Sequence, residues 1–253
     1  MRLSSVLPRL IAAGLLLGPS LVGAAAAQTT PQATPRVAVP SAAPPVAAKP
    51  HATPGQPDVL DLGGGRYRVG SIEVDKKARS FTVPGVLNLV EGPLEYIACV
   101  RHGMKAYETL VELDCNAYEF NLACLLIGLD PKKSTVPRRH FDPAPVKGDA
   151  VSLSVEWRDG GKVKRVSPDK LVKGGEELLA KGAWVYTGST ILEDGRYLSQ
   201  IQGPVIGFVH DPAPIIEHSI GAQSTGYGVL VPNAEVLPVK GTPMRLLVTA
   251  QSK

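Results

Sequence analysis

Two histidines and two carboxylates stand close together in the chain, as His210-Asp211 and Glu217-His218. Imidazole beside carboxylate is the equipment of zinc ligation and of general acid–base work. The spacing fits no helical ligand pattern. Pro212 and Pro214 break the segment, so its two ends either fold together or diverge. His140 and Asp142 form a similar pair elsewhere. The alternative for all of these is loop residues that cap turns or bond backbone groups. His210, Asp211 and His218 are carried forward as candidate ligand-binding residues; no catalytic residue and no metal ligand is assigned. Ser189, within Thr187-Gly188-Ser189-Thr190, has neither a G-x-S-x-G elbow nor an identifiable base, and reads as a hydroxyl bonding local backbone. Residues 221–228 are glycine-rich but lack the Lys-Ser/Thr pair of a phosphate loop.

Cys99, Cys115 and Cys124 make an odd set with no C-x-x-C spacing. Three thiols cannot complete a four-cysteine iron–sulfur or zinc site. They read as buried free thiols, with one disulfide among them as the alternative. No cofactor is expected.

The elements that must position these groups read mostly as strands. Tyr67, Val69, Ile72 and Val74 lead into a turn at Asp75-Lys76-Lys77, and Phe81 and Val83 return. Residues 85–90, 94–100 and 109–113 follow as further strands. Val151, Leu153, Val155 and Trp157 alternate strictly with polar residues. They end at Asp159-Gly160, a dipeptide suited to a tight primed turn. Asp194-Gly195 reads as a second such turn between 190–192 and 197–201, and the chain closes with strands over 234–239 and 244–249. One helix is predicted over 116–127. Asn116 and Glu119 form a capping box, Gly128 suits the left-handed position after the last turn, and Pro131 prevents continuation. Its interior is apolar nearly all round, which predicts a buried helix. Asn121 alone interrupts it, and a buried amide must find partners; the reading is a helix-to-sheet hydrogen bond, with a remnant ligand pocket as the alternative. Short helices are expected over 168–173 and 176–181. The fold class is therefore α+β, mainly antiparallel sheet with one buried helix, with no βαβ series.

The N-terminus sets the compartment. Arg2 and Arg9 give a positive start to an uncharged, mostly apolar run from Leu10 to Val22, and Ala25-x-Ala27 precedes Gln28. This is the signature of a secretory signal over 1–27, cleaved after about Ala27; an uncleaved anchor is the alternative. Residues 28–57 are rich in Pro and Ala, a composition of solvated extended chain, leaving one domain over 58–253. The formal charge of +4 falls close to neutral without the leader. Lys76-Lys77, Lys132-Lys133 and Arg138-Arg139 are scattered corners rather than a nucleic-acid stripe. No later run is long enough to span a bilayer.

The ordered segments Glu91-Gly92-Pro93-Leu94-Glu95-Tyr96, Ala98-Cys99, Lys105 through Leu110, Asn121 through Gly128 and Trp184-Val185-Tyr186-Thr187-Gly188-Ser189 resemble the YdjY-like family of small exported bacterial proteins. The resemblance runs from about Ile72 to Thr249. Some members have carried a ferredoxin-like label, which this chain, lacking the cysteine ligands, does not support. The resemblance implies histidines where Tyr107 and Asn121 stand. A metal site formed by those histidines in relatives is here lost or remade. Glu95 and Glu108 are carboxylates of the family-like block. Glu108 reads as a solvent-facing strand residue, with a buried pairing to Lys105 or Asn121 as the alternative. Glu95, Tyr107, Glu108 and Asn121 join the candidate ligand-binding residues.

With no complete catalytic set, the reading is a non-catalytic binding or accessory module, periplasmic or secreted. Its partner is a protein or small molecule of the cell envelope, not nucleic acid. The alternative is a metal-dependent or redox-linked extracytoplasmic enzyme or chaperone using the His210–His218 loop or the cysteines.

Overall fold

Alternating apolar residues set the strands and glycines in left-handed conformation turn them. The computed structural model describes residues 57–251; the expected leader and all but the last residue of the expected spacer lie outside the described residues. In chain order the elements are β1 Val59–Gly63, β2 Arg66–Val69, β3 Ile72–Asp75, β4 Ser80–Leu87, β5 Tyr96–Val100, β6 Thr109–Leu113, α1 Ala117–Leu126, β7 Ala150–Asp159, β8 Lys162–Val166, β9 Val172–Lys173, α2 Glu176–Leu179, β10 Trp184–Tyr186, α3 Leu198–Gln202, β11 Pro204–Gly207, β12 Ile216–His218, β13 Val231–Pro232 and β14 Pro243–Ala250. Among the described residues the class is α+β and mostly β, with three short α-helices.

Strands β4, β14, β7, β10, β12, β11, β5 and β6 pair in that order, and β6 returns to β4. The sheet thus closes into an eight-stranded barrel, which leaves no free edge within it. The pairs β5–β6 and β11–β12 are parallel; the other pairs around the barrel are antiparallel. Strands β1 to β3 extend from β4 as a ribbon, and β8 folds back on β7. Val83, Ile97, Leu113, Val155, Ile206, Leu246 and Val248 are among the buried core. No helix among the described residues is long and apolar enough to cross a membrane.

Helix α1 starts as its capping box requires: Asn116 Oδ1 accepts from the Glu119 N–H and Glu119 Oε2 from the Asn116 N–H. It ends at Gly128, with φ +90°. It is not enclosed, however. Ala117, Phe120, Ala123 and Cys124 are buried, while Leu125 is exposed. Phe120 meets Phe81 edge-on at 5.2 Å, so one face covers the sheet and the other looks out.

Several expected boundaries move. The run from Tyr67 to Val74 is two strands, because Gly70 at φ +56° makes a turn that pairs Val69 with Ile72. Residues expected as separate strands merge into β4, which crosses Pro84. The β7–β8 turn centres on Gly160-Gly161, both at positive φ, one residue beyond the expected dipeptide. Around Asp194-Gly195 only the single bridge Ile191–Tyr197 forms; the next residues become α3, stopped by Gly203 at φ +101°. Residues 234–239 form no strand, and 168–173 form a 3₁₀ turn followed by β9.

Candidate functional site

The candidates separate into an ionic cluster and an uncharged pocket. The ionic cluster begins where β5 starts. Glu95 and Tyr96 are buried there, and Asp211, also buried, follows β11. Asp211 Oδ2 accepts from the Tyr96 hydroxyl at 3.1 Å and faces His140 Nδ1 at 2.7 Å. Its Oδ1 accepts the Ala213 N–H at 2.8 Å. The other ring nitrogen of His140 stands 3.3 Å from Glu95 Oε2. An imidazole between two carboxylates is favoured as the cation, and Asp211 first, then Glu95, lifts its pKa to about 9. Asp211 moves the other way. Burial alone would raise its pKa, but the hydrogen bonds from His140 and the Ala213 N–H prevail and lower it.

Beneath this pair lies Glu217 on β12, fully buried. Its Oε1 accepts the Asp211 N–H at 2.8 Å, and its Oε2 has no hydrogen-bond partner among the described residues. Burial pushes its pKa well up, which favours the neutral carboxyl. Nearby, Lys105 Nζ binds Glu108 Oε1 at 2.8 Å. Glu108 is buried, at 2 % exposure, which corrects the solvent-facing expectation. The 3₁₀ turn Ala106–Glu108 points its carboxylate inward to Lys105. Burial would lower the Lys105 pKa, but Glu108 and Tyr107 together raise it. Tyr107 itself is exposed and reaches only Lys105, at 3.3 Å.

His210 and His218 do not come together as ligands. His218 Nε2 faces the Leu179 carbonyl at 3.1 Å, and Nδ1 accepts from the Gly221 N–H. Burial lowers its pKa, so the ring is neutral. His210 Nδ1 faces the Asp142 carbonyl at 3.0 Å, and Nε2 the His218 carbonyl at 2.9 Å. Both rings tie backbone to backbone. Among the described residues no group of three or more His, Cys, Asp or Glu side chains is placed to hold a metal ion. The three cysteines are free. Burial pushes the Cys99 thiol up to about 12 and raises Cys115 and Cys124 as well. Such thiols are weak nucleophiles and poor ligands.

The uncharged pocket has a volume of about 360 Å³. Helix α1 supplies Tyr118 and Asn121, the end of β10 and the segment after it supply Tyr186 through Ser189, and Tyr197 adds to the wall. The Tyr186 hydroxyl donates to Asn121 Oδ1 at 2.7 Å, so the lone amide of the helix meets the sheet. Gly188, at φ +82°, allows this: a Cβ there would stand 3.3 Å from the Tyr186 oxygen. Ser189 also takes the left-handed conformation, at φ +62°. Its hydroxyl accepts the Ser199 N–H at 3.2 Å and contacts the Pro212 carbonyl at 3.4 Å, so it braces backbone.

One loop serves both regions. Residues 127–149 join α1 to β7, an unusual length for a connection with a single 3₁₀ turn. Pro131, Ser134 and Val136 line the pocket, and His140 enters the ionic cluster. The loop is fastened further by Phe141 N–H to the His210 carbonyl at 2.9 Å and Val146 N–H to the Ser219 carbonyl at 3.0 Å.

Of the predicted residues, Glu95 and Asp211 meet through His140, Glu108 joins Lys105 beside Tyr107, and Asn121 stands in the pocket. His210 and His218 are bracing residues. Tyr96, Lys105 and His140 carry the ionic contacts but were not among the candidate ligand-binding residues. The signs of them in the sequence were the pair His140 and Asp142, the possible pairing of Lys105 with Glu108, and Tyr96 next to Glu95.

A family model described as the YdjY domain matches residues 72–249. No curated protein and no solved structure matches the chain.

Proposed function

The chain belongs to the YdjY family, and on that footing we propose that it is an exported, non-catalytic binding module whose ligand enters the Tyr118–Asn121 pocket. The observation that carries this reading is the contrast in polar groups. Tyr96, Lys105, Glu108, His140 and Asp211 are bonded to one another or to backbone, whereas the Asn121 amide nitrogen is left unclaimed at an open pocket. A placed polar group in a largely apolar concavity is how ligand sites are built. The leader signature over 1–27 and the Pro/Ala-rich stretch after it support export and a tethered domain. The metal-dependent or redox-linked alternative gains no support, since both loop histidines are bound to backbone and the thiols are held protonated.

Expression of the full chain with its own leader, followed by fractionation and native mass spectrometry, tests both halves. The expected product is extracytoplasmic, begins near Gln28 and carries no stoichiometric metal. A cytoplasmic product would end the export reading. Stoichiometric metal that disappears in the His210→Ala/His218→Ala double variant would end the non-catalytic one.

A further inference from the structure

We propose that the pocket of Tyr118, Asn121, Tyr186 and Tyr197 takes a neutral saccharide ring; this rests on the reading above that the pocket is the ligand site. Among the described residues no Lys, Arg, His, Asp or Glu lines it. A charged solute would lose its hydration there with no counter-charge in return, which disfavours nucleotides, phosphorylated solutes and free carboxylates. The pocket is not simply greasy either. The Asn121 oxygen is engaged by the Tyr186 hydroxyl, and the amide nitrogen of this lining residue, a donor of two protons, has no hydrogen-bond partner among the described residues. Tyr118, half-buried, adds a hydroxyl with no hydrogen-bond partner among the described residues. A wholly apolar ligand would cover these groups without satisfying them.

An aromatic wall completes the match: half-buried Tyr118 offers the exposed ring surface, backed by the buried ring of Tyr197. The Tyr118 and Tyr197 rings lie 5.3 Å apart, inclined at 38°. A sugar ring presents an apolar C–H face to pack on such a wall and a rim of hydroxyls that accept from an amide and exchange hydrogen bonds with a phenol, all without charge. The volume of about 360 Å³ is at the small end of the roughly 300–1,000 Å³ found for ligand sites. It suits the end of a glycan rather than a long stretch of one.

Isothermal titration of the full chain with chitotriose and with maltotriose, beside glucose 6-phosphate and N-acetylproline amide, tests the proposal. The expected result is saturable binding of at least one trisaccharide and none of the phosphorylated sugar. Affinity should fall at least about tenfold in Asn121→Asp, which still accepts from Tyr186 but lacks the donor. It should fall similarly in Tyr118→Ala; because the half-buried Tyr118 also packs against the core and the Tyr197 ring, near-ultraviolet circular dichroism checks the fold of each. Binding of the proline amide alone, weakened in Asn121→Asp, would overturn the saccharide and keep the pocket as the ligand site. Tighter binding of glucose 6-phosphate would also overturn it. Silence from all the neutral probes would overturn the saccharide and the binding reading together.

Discussion

The ionic cluster around His140 and the pocket around Asn121 share one loop, yet they use polar groups in opposite ways. In the cluster, charge is turned inward: His140 lies between Asp211 and Glu95, and Lys105 is held by Glu108. In the pocket, among the described residues, no charged side chain lines the wall and the Asn121 amide nitrogen has no partner. The contrast teaches where to look for function. Ionised groups buried against their partners are committed to holding the loop in place, because removing either partner leaves an uncompensated charge. The pocket, with little to lose on filling, is free to serve a ligand.

The largest effect is expected at Asp211. Asp211→Ala removes the acceptor of Tyr96, His140 and the Ala213 N–H at once, and should cost about 3 kcal/mol in urea unfolding. A loss below about 0.5 kcal/mol would mean that the cluster is ornamental, and the contrast with the pocket would collapse.

The same cluster should give stability a defined pH dependence. His140 titrates near pH 9 in the folded protein against an ordinary 6.5, so its contribution is complete below about pH 6.5 and is lost as the pH rises toward 9. Asp211 is held below its ordinary 3.8. Its contribution is present above that value and disappears on acidification beneath it. Urea midpoints measured from pH 4 to 10 should therefore decline on the alkaline side, and His140→Gln should flatten that decline. An unchanged slope in the variant would remove His140 from the account.

A smaller change is expected in the pocket. Asn121→Leu strips the buried Tyr186 hydroxyl of its acceptor and should cost about 1–2 kcal/mol, with ligand binding lost. If stability and binding both stayed at wild-type levels, neither the helix-to-sheet bond nor the pocket would matter. Least of all should Glu217→Gln matter. Burial favours the neutral carboxyl there, and the amide oxygen can still accept the Asp211 N–H, so the change should remain under about 0.5 kcal/mol. A large loss would show that Glu217 is ionised and part of the charged network.

Legibility in the sequence followed the range of the interactions. The start of α1 was readable because the capping box spans three residues, and β7 because its period is two. Asn121 stood out as the single amide on an apolar helix, and its partner on the sheet is a contact of the expected kind. Barrel closure was not readable, since β4 meets β6 and β14 through contacts between distant segments. The enclosure of α1 was overread: apolar composition all round did not show that Leu125 would face outward. Asp194-Gly195 misled because the chain after the turn finds its bonds in α3, where Gln200 also accepts the Ala117 N–H at 2.9 Å. The cluster was hidden for the same reason as the barrel. Glu95, His140 and Asp211 belong to three separate stretches, and only the closed fold places an imidazole between the two acids.

Mapping chemical-shift changes in an isotopically labelled sample, while titrating in the trisaccharide that binds, tests the central claim most directly. The changes should centre on Tyr118, Asn121, Ser189 and Tyr197, with little movement at Glu95, His140 and Asp211. Shifts centred on the ionic cluster, with the tyrosine pocket silent, would contradict it.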